Sequence, residues 1–202
     1  IMASTYLSKT NPSSASTSLY KGTVSWWQKG TGGYIFGAET GSERMLVNFA
    51  STFNMYLRGS SGSPDIDYSL SGTPQFRDPS AWRHCVLAWD TTLGTAGDRI
   101  KLYVNNQEFT VTGTATTPQN HEMPINKASM PLVWGAYSTS AGYFDGSMTH
   151  CHFVDGQQLT PSTFGESDSV SSIWKPKTAP SVTHGNYGFF LKFENSGAMG
   201  TD

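Results

Sequence analysis

Charged residues are scarce in this chain, and their scarcity narrows the classes of partner it can have. Lys, Arg, Asp and Glu make up 14% of the 202 residues, against about a quarter in an ordinary soluble domain. The formal net charge is -2 and the basic residues are scattered, without the basic patch that nucleic-acid binding requires. No apolar run approaches the roughly 20 residues of a membrane span, and no signal peptide is visible. We therefore expect neither nucleic-acid binding nor membrane insertion.

Cysteine and catalytic signatures are also in short supply. Cys85 and Cys151 are too few for a disulfide scaffold, and a chain of this length can bury a core without one. We expect both to be buried apolar side chains, and a bond between them requires α-carbons within about 7 Å. The sequence has no G-x-S-x-G elbow, no H-E-x-x-H and no phosphate-cradling glycine loop. Standard hydrolase, metalloprotease and nucleotide-binding sites are therefore not predicted.

Short alternating apolar runs take the place of helical periodicity. The clearest stretch is residues 82–106, in which a largely apolar run, a Gly/Thr turn and an alternating run follow one another. Ile100, Leu102 and Val104 fall on one face of the second run, so the stretch is predicted to be a β-hairpin. The first run has no polar face, which indicates a strand covered on both sides in the middle of a sheet.

Further strands are predicted at near-regular spacing along the chain. They span residues 3–7, 23–28, 34–38, 45–49, 53–58, 67–70, 108–112, 131–136, 143–154 and 187–193. One helical turn is predicted over residues 159–164, with Thr160 as its cap and Pro161 in the first helical position. The polar, Pro-bearing stretch 114–129 is predicted to be a functional loop. This pattern predicts an all-β fold, a two-sheet antiparallel jelly-roll sandwich formed by residues 1–202 as one domain.

Several segments of the chain resemble strands of a known family of β-sandwich domains. W-R-H-C-V at residues 82–86, followed by L-Y-V-N-N at 102–106, resembles the core hairpin of the laminin-G-like, concanavalin-A-like jelly rolls. Asn106 stands where that family prefers Gly. T-V-S-W-W at 23–27 and F-D-G-S-M at 144–148 are similar to two further strands of the family. The chain ends, with S-K-T-N-P-S-S and F-F-L-K-F-E-N-S-G, resemble a subset found in virion proteins of bacteriophages, especially marine ones.

The resemblance implies a domain that binds glycans or protein surfaces. The leading hypothesis is a non-catalytic virion surface module on a capsid protrusion, decoration or tail appendage, extracellular in any case. Such a module would bind a glycan or host surface, form homo-oligomers or contact other capsid or tail proteins, and be a piece of a longer virion protein. The alternatives are a structural assembly or decoration domain without ligand, and a glycan-cleaving enzyme.

The enzyme hypothesis depends on acidic residues. Glucanases of this family carry carboxylates spaced E-x-D-x-E on one strand, so that an acid and a nucleophile flank the sugar bond. The nearest string here is Glu166-Ser167-Asp168, which lacks the third acid and lies in a predicted loop. Asp65 and Asp67 are a lone pair beside a Pro loop. We therefore expect that the protein is not an enzyme.

Aromatic residues are the best candidates for ligand contacts, because sugars stack on exposed aromatic faces. They make up 13% of the chain, and several lie near predicted turns. The candidates are Tyr34, Tyr56, Trp134, Tyr137 and Tyr143. Tyr137 and Tyr143, at the two ends of one turn, are favoured. Core packing is the competing interpretation and is preferred for the tryptophans Trp27, Trp82, Trp89 and Trp134.

Two sets of side chains are candidates for metal binding. Some members of the resembled family hold calcium at the sheet rim, and the available carboxylates are Asp90, Asp98 and Asp145. Calcium needs about six or more oxygens, and no convergence of ligands is evident. Alternation also places three histidines on one outer sheet face, namely His84, His150 and His152. Such a cluster could bind a transition metal or respond to pH. We expect these histidines to occupy ordinary sheet positions bonded to hydroxyls, with no cofactor.

Overall fold

The computed structural model describes residues 5–59, 65–70, 76, 78–195 and 197–200, and its regular structure is almost all strand. The strands are β1 (Leu7–Thr10), β2 (Lys21–Gly32), β3 (Tyr34–Glu39), β4 (Arg44–Phe49), β5 (Phe53–Arg58), β6 (Ile66–Leu70), β7 (Arg83–Asp90), β8 (Ile100–Val104), β9 (Gln107–Phe109), β10 (Val111–Gly113), β11 (Pro131–Trp134), β12 (Asp145–Asp155), β13 (Gly165–Ser167), β14 (Trp174–Pro176) and β15 (Phe189–Leu191). The helical elements of this described part are three 3-10 turns, Ala96–Asp98, Pro124–Asn126 and Pro161–Thr163. None of its helices is long and apolar enough to cross a membrane.

The strands form two large antiparallel sheets. The first sheet has the order β1-β11-β3-β4-β5-β6-β10, and the second has the order β15-β12-β2-β7-β8-β9. A separate hairpin of β13 and β14 lies beside them. The predicted all-β, two-sheet antiparallel sandwich is therefore confirmed.

Alternation along each strand divides core from surface. In β5, Phe53, Met55 and Leu57 are buried in the core, while the residues between them are half-buried on the outer face. Large aromatic side chains from both sheets are fully buried between them, such as Phe36 of the first sheet and Trp89 of the second. The predicted strands at 34–38, 45–49, 53–58 and 67–70 match β3 to β6 within a residue or two.

The central hairpin is formed by β7 and β8, and β7 is an interior strand, as predicted. All eight of its residues are buried. Its inner face contributes to the core, and on its outer face Val86 packs in a smaller cluster with Val154 and Phe164. The outer face of the second sheet is therefore covered by chain that follows β12.

Four sequence predictions about local structure are wrong. The predicted strand 108–112 is two strands, because the chain leaves the second sheet after β9 and enters the first at β10. The predicted strand 3–7 is β1, which begins at Leu7; residues 3 and 4 lie outside the described residues. Trp82, predicted to be core, is 42% exposed. The Thr160 side chain makes no capping bond, although Pro161 begins the predicted turn.

Part of the stretch 114–129 packs into the core. Met123, Ile125 and Asn126 are buried, and the first two belong to the main core. The indole of Trp89 donates to Asn126 Oδ1 at 3.2 Å. Apolar residues spaced inside a polar run anchor the second half of this stretch to the sandwich, and a functional role for its exposed residues stays a prediction.

Cys85 and Cys151 are free, buried thiols of the core. They lie on β7 and β12, which flank β2 on its two sides. Two strand spacings separate them by about 10 Å, which exceeds the reach of a disulfide. Burial raises the pKa of both thiols, so the expectation of two small apolar core residues agrees with the structure.

Candidate functional site

Three tyrosines form a contact cluster on the outer face of the first sheet. Tyr34 begins β3, Tyr56 lies on β5, and Tyr137 follows β11. The ring of Tyr34 lies between the other two, with centroids 6.4 Å from Tyr56 and 5.0 Å from Tyr137. All three side chains are half-buried. Three of the five predicted ligand contacts are therefore neighbours, and we call them the tyrosine trio.

Two glycines let the backbone bring the trio together. A Cβ on Gly37 would overlap the carbonyl oxygen of Tyr137, so the chain after β11 can cross β3 only over a residue without a side chain. Gly142 has φ +69°, and a Cβ there would overlap the ring of Tyr137 and approach that of Tyr34. The amide of Tyr34 donates to the carbonyl of Gly142 at 3.2 Å. The turn 138–142 is thereby fixed against β3.

Polar groups surround the trio on the same face. Asn48 pairs with Tyr34 and with Asn54 in the sheet register. Arg44 and Arg58 face each other on β4 and β5. Arg58 donates two hydrogen bonds to Asp65, at 2.6 and 2.7 Å. Hydrogen bonding from Arg58 lowers the pKa of Asp65 despite partial desolvation. The face therefore combines aromatic rings with amide and guanidinium donors.

Packing against its neighbours also changes the pKa of Tyr34. Burial and the adjacent hydroxyls of Tyr56 and Tyr137 raise the pKa of the Tyr34 phenol. The phenol consequently stays protonated across the physiological range and remains a hydrogen-bond donor.

Tyr143, the fourth predicted tyrosine, lies at the other end of the turn and lines a cleft. Its ring stacks on that of Tyr6, with centroids 6.3 Å apart, and its hydroxyl donates to the carbonyl of Thr139 at 3.3 Å. The cleft has a volume of about 710 Å³, which is within the usual range for small-ligand sites. Its lining is mainly aromatic and methionine side chains, among them Phe144, Met148 and Met199.

Trp134, nominated both as a ligand contact and as a core residue, packs mainly in the core. It is only 4% exposed, and its ring packs against Phe36 at 5.3 Å and Phe189 at 5.7 Å. It reaches the cleft as part of the floor. The alternative interpretation of core packing is the correct one for this tryptophan.

The three carboxylates named for calcium do not converge. Asp90 pairs with Lys21 at 2.9 Å and accepts from Thr92, while Asp98 pairs with Lys101. Asp145 is exposed and lies opposite Gly32, at the far end of β2 from Lys21. Eleven strand steps separate the two ends by roughly 35 Å. The predicted set Asp90, Asp98 and Asp145 is therefore wrong as a single metal site.

His84 and His152 lie on the outer side of the second sheet and are bonded to neighbours. His84 Nε2 lies 2.9 Å from Ser25 Oγ, and the Trp174 indole donates to His84 Nδ1 at 2.9 Å. His152 Nδ1 lies 3.2 Å from Nε2 of His184, a residue that the sequence analysis did not single out. Across the described residues, no group of three His, Cys, Asp or Glu side chains is arranged to hold a metal ion.

His150 lies on the same side, as alternation predicts, at an irregularity of β12. The register between β12 and β2 shifts between Thr149 and His152, and His150 has φ +49°. Its ring lies 5.8 Å from that of Phe190, on the outer side of β15. Alternation alone places His150 and His152 on one side and Cys151 in the core; the β-bulge at His150 adds that Thr149 and His152, three positions apart, face Trp27 and Ser25 of β2.

The acids considered for catalysis are held by cations at the surface. Lys175 pairs with Asp168 at 3.0 Å and with Glu166 at 3.9 Å. Backbone donation from Ser171 lowers the pKa of Asp168, with Lys175 lowering it further. Both acids lie on the β13–β14 hairpin, outside the two main sheets.

Comparison with known proteins relates this chain to others through its fold. No family model and no curated protein sequence matches it. Among solved structures, laminin α1 domains LG4-5 from mouse align with a TM-score of 0.52 and 13% identity, over 88% of this chain and 47% of that chain. Domain 4 of AbnA, an extracellular GH43 arabinanase from Geobacillus stearothermophilus, aligns at 0.50 and 15% identity, over 73% and 67%.

A phage protein also shares the fold. The enzymatically active domain of tailspike protein 2 from bacteriophage CBA120 aligns with a TM-score of 0.51 and 8% identity, over 78% of this chain and 25% of that chain. The chain thus spans about half the laminin pair and a quarter of the tailspike domain. At these identities the comparisons support a laminin-G-like jelly-roll fold and nothing finer.

Proposed function

We propose that this domain is a non-catalytic glycan-binding module, carried on a virion surface or otherwise outside the cell. The observation that carries the proposal is the tyrosine trio, held by long-range contacts on the outer face of the first sheet. Half-buried rings with fixed neighbours lose little conformational freedom when a ligand binds, and each offers an apolar face and a hydroxyl.

The polar surroundings of the trio suit a sugar. Asn48 and Asn54 offer amide donors and acceptors, and Arg44 offers guanidinium donors on the same face. A sugar ring stacked on Tyr56 or Tyr137 would find hydrogen-bonding partners at its rim. A longer chain would continue over the turn to Tyr143 and the cleft beside it.

The carboxylate chemistry supports binding without cleavage. A glycosidase needs a general acid with a raised pKa and a second carboxylate about 5 to 9 Å away. Asp168 has the opposite character, because backbone donors and Lys175 lower its pKa. Asp65, the acid beside Arg44 and Arg58, also has a lowered pKa. These acids are stabilised as anions and are poorly suited to protonate a leaving group.

The shared fold adds limited support. AbnA domain 4 was solved in complex with arabinotriose, which indicates that a sandwich of this kind can hold a neutral oligosaccharide. The virion part of the proposal draws on the phage-like chain ends and on the tailspike that shares the fold.

A glycan array probed with the purified chain tests the proposal. We expect selective binding to a set of related oligosaccharides and no release of reducing sugar from them. Folded protein that binds nothing across the array would favour the alternative of a structural decoration domain. Release of reducing sugar would favour the enzyme hypothesis instead.

A further inference from the structure

A hydrogen-bonded pair of histidines joins the second sheet to the chain that covers it. His152 on β12 and His184 have nearly parallel ring planes, 3° apart, and their facing nitrogens are 3.2 Å apart. The ring of His152 is also stacked on Phe190 at 3.8 Å. One nitrogen must donate and the other accept, so the pair tolerates at most one proton between the two atoms. A second proton would place two N–H groups against each other.

A second bond of the same kind joins His84 to β14. The indole of Trp174 can only donate, so His84 Nδ1 must be the acceptor, which leaves Nε2 to donate to Ser25 Oγ. His84 is thus held as one neutral tautomer. A proton on Nδ1 would remove the acceptor that Trp174 uses, and with it the hydrogen bond that Trp174 of the β13–β14 hairpin donates to this face.

The charged groups around these rings do not favour protonation. Burial is the main cause that lowers the pKa of His84 and of His152 to about 3 each. The other charged neighbours are histidines, and they lower both pKa values further. His150 lowers the pKa of His84, and His184, His150 and His84 lower that of His152.

Groups from the adjoining elements complete these surroundings. β2 presents the neutral Ser25 and Trp27 to His84. After β15, Glu194 raises the pKa of His150 and Lys192 lowers it. On the covering side, Lys175 is paired with Glu166 and Asp168.

We propose that His84, His152 and His184 form an acid-released latch that holds residues 165–185 against the second sheet. Trp174 and His184 both belong to this covering segment, whereas the core between the sheets makes no use of the histidines. Protonation therefore weakens the attachment of the covering segment and shifts it toward the detached state, while the sandwich persists. The inference is independent of glycan binding, which concerns the opposite sheet.

The direction of the pH dependence follows from the neutral attached state. Above about pH 6.5 the rings are neutral in both states, and pH has no effect on the latch. Below that pH, His84 and His152 bind protons when the segment is detached. When it is attached they stay neutral down to a pH of about 3. In this range, His84 and His152 each raise the ratio of detached to attached protein by about tenfold for every pH unit by which the pH falls.

Hydrogen exchange read by mass spectrometry tests the latch. Between about pH 7.5 and about pH 5.5, corrected for intrinsic rates, we expect the opening equilibrium of residues 165–185 to rise by about 100-fold. Protection of β7 should change far less. The variant H84Q/H152F should show less than about a threefold change, because it has lost both titrating rings. The control H121Q, which removes a buried histidine distant from the covering segment, should behave as wild type.

Three results would overturn the proposal. They are unchanged protection of residues 165–185 at the lower pH, an equal loss in β7, and a wild-type response in H84Q/H152F. If that variant does not fold, imidazole NMR of the wild-type protein provides the test. Neutral rings for His84 and His152 in the attached state at about pH 5.5 support the latch, and a titration midpoint near 6.5 for either ring contradicts it.

Discussion

A single buried carboxylate ties the beginning of the chain to its end. Asp155, at the end of β12, is 1% exposed. It accepts from the amides of Thr17 and Tyr187, at 2.6 and 3.4 Å, and from the side chain of Asn126 at 2.9 Å. The sequence gives no sign of this role, since its partners lie about 30 to 140 positions away along the chain.

Removal of this carboxylate should destabilise the whole domain. Asp155→Ala leaves several buried donors without an acceptor, at about 1 to 3 kcal/mol for each unsatisfied group. We expect the free energy of unfolding, from urea titration, to fall by about 3 kcal/mol or more. Asp67→Ala, an exposed position on β6, is the matched control and should cost under about 0.5 kcal/mol. Equal losses in the two variants would refute the role given to Asp155.

The tyrosines show what residue-level sequence reasoning can and cannot reach. Their positions near turns could be predicted, because Gly, Ser and Thr mark the turn between Tyr137 and Tyr143. Their partners could not, since the contact of Tyr34 with Tyr137 joins residues about a hundred positions apart. Core packing is predicted for both Trp82 and Trp134 for the same reason, although one is exposed and the other buried.

At the scale of elements, strands were predictable and strand irregularities were not. Alternation located β4, β5 and β8 because each has a clear inner face, and an unbroken apolar run located β7. The sheet switch between β9 and β10, and the bulge at His150, leave no periodic signal in so few residues. These irregular places nevertheless position the histidines and one edge of the first sheet.

The chain after β11 crosses β3 at Gly37, and substitution of this glycine tests the close approach. Gly37→Ala should push the backbone of Tyr137 away from the sheet, because a Cβ would overlap its carbonyl oxygen. We expect a loss of about 1 to 3 kcal/mol in unfolding free energy, as for an overpacked core. Calorimetry measures it, with Gly41→Ala as control, where a Cβ would meet no atom within 4 Å. Equal melting temperatures for the two variants would contradict the close approach.

At the scale of the molecule, the two outer sheet faces have different surroundings. The first sheet presents the tyrosine trio with amides and guanidinium groups around it. The second sheet is covered by residues 165–185, which bond to its histidines. The fold class was predictable from alternating runs, but which face stays open depends on where the chain after β12 packs, and no local pattern encodes that.

Glycan binding at the open face is the central claim, and one titration tests it most directly. A glycan selected on the array is titrated by calorimetry into wild type, into Y137A/Y143A and into Y103A, whose half-buried tyrosine packs on the second sheet. Losing two half-buried rings should cost about 2 to 3 kcal/mol of stability, which leaves a domain of this size folded. We expect at least tenfold weaker binding in Y137A/Y143A and unchanged affinity in Y103A. A folded Y137A/Y143A that binds as tightly as wild type would contradict the account.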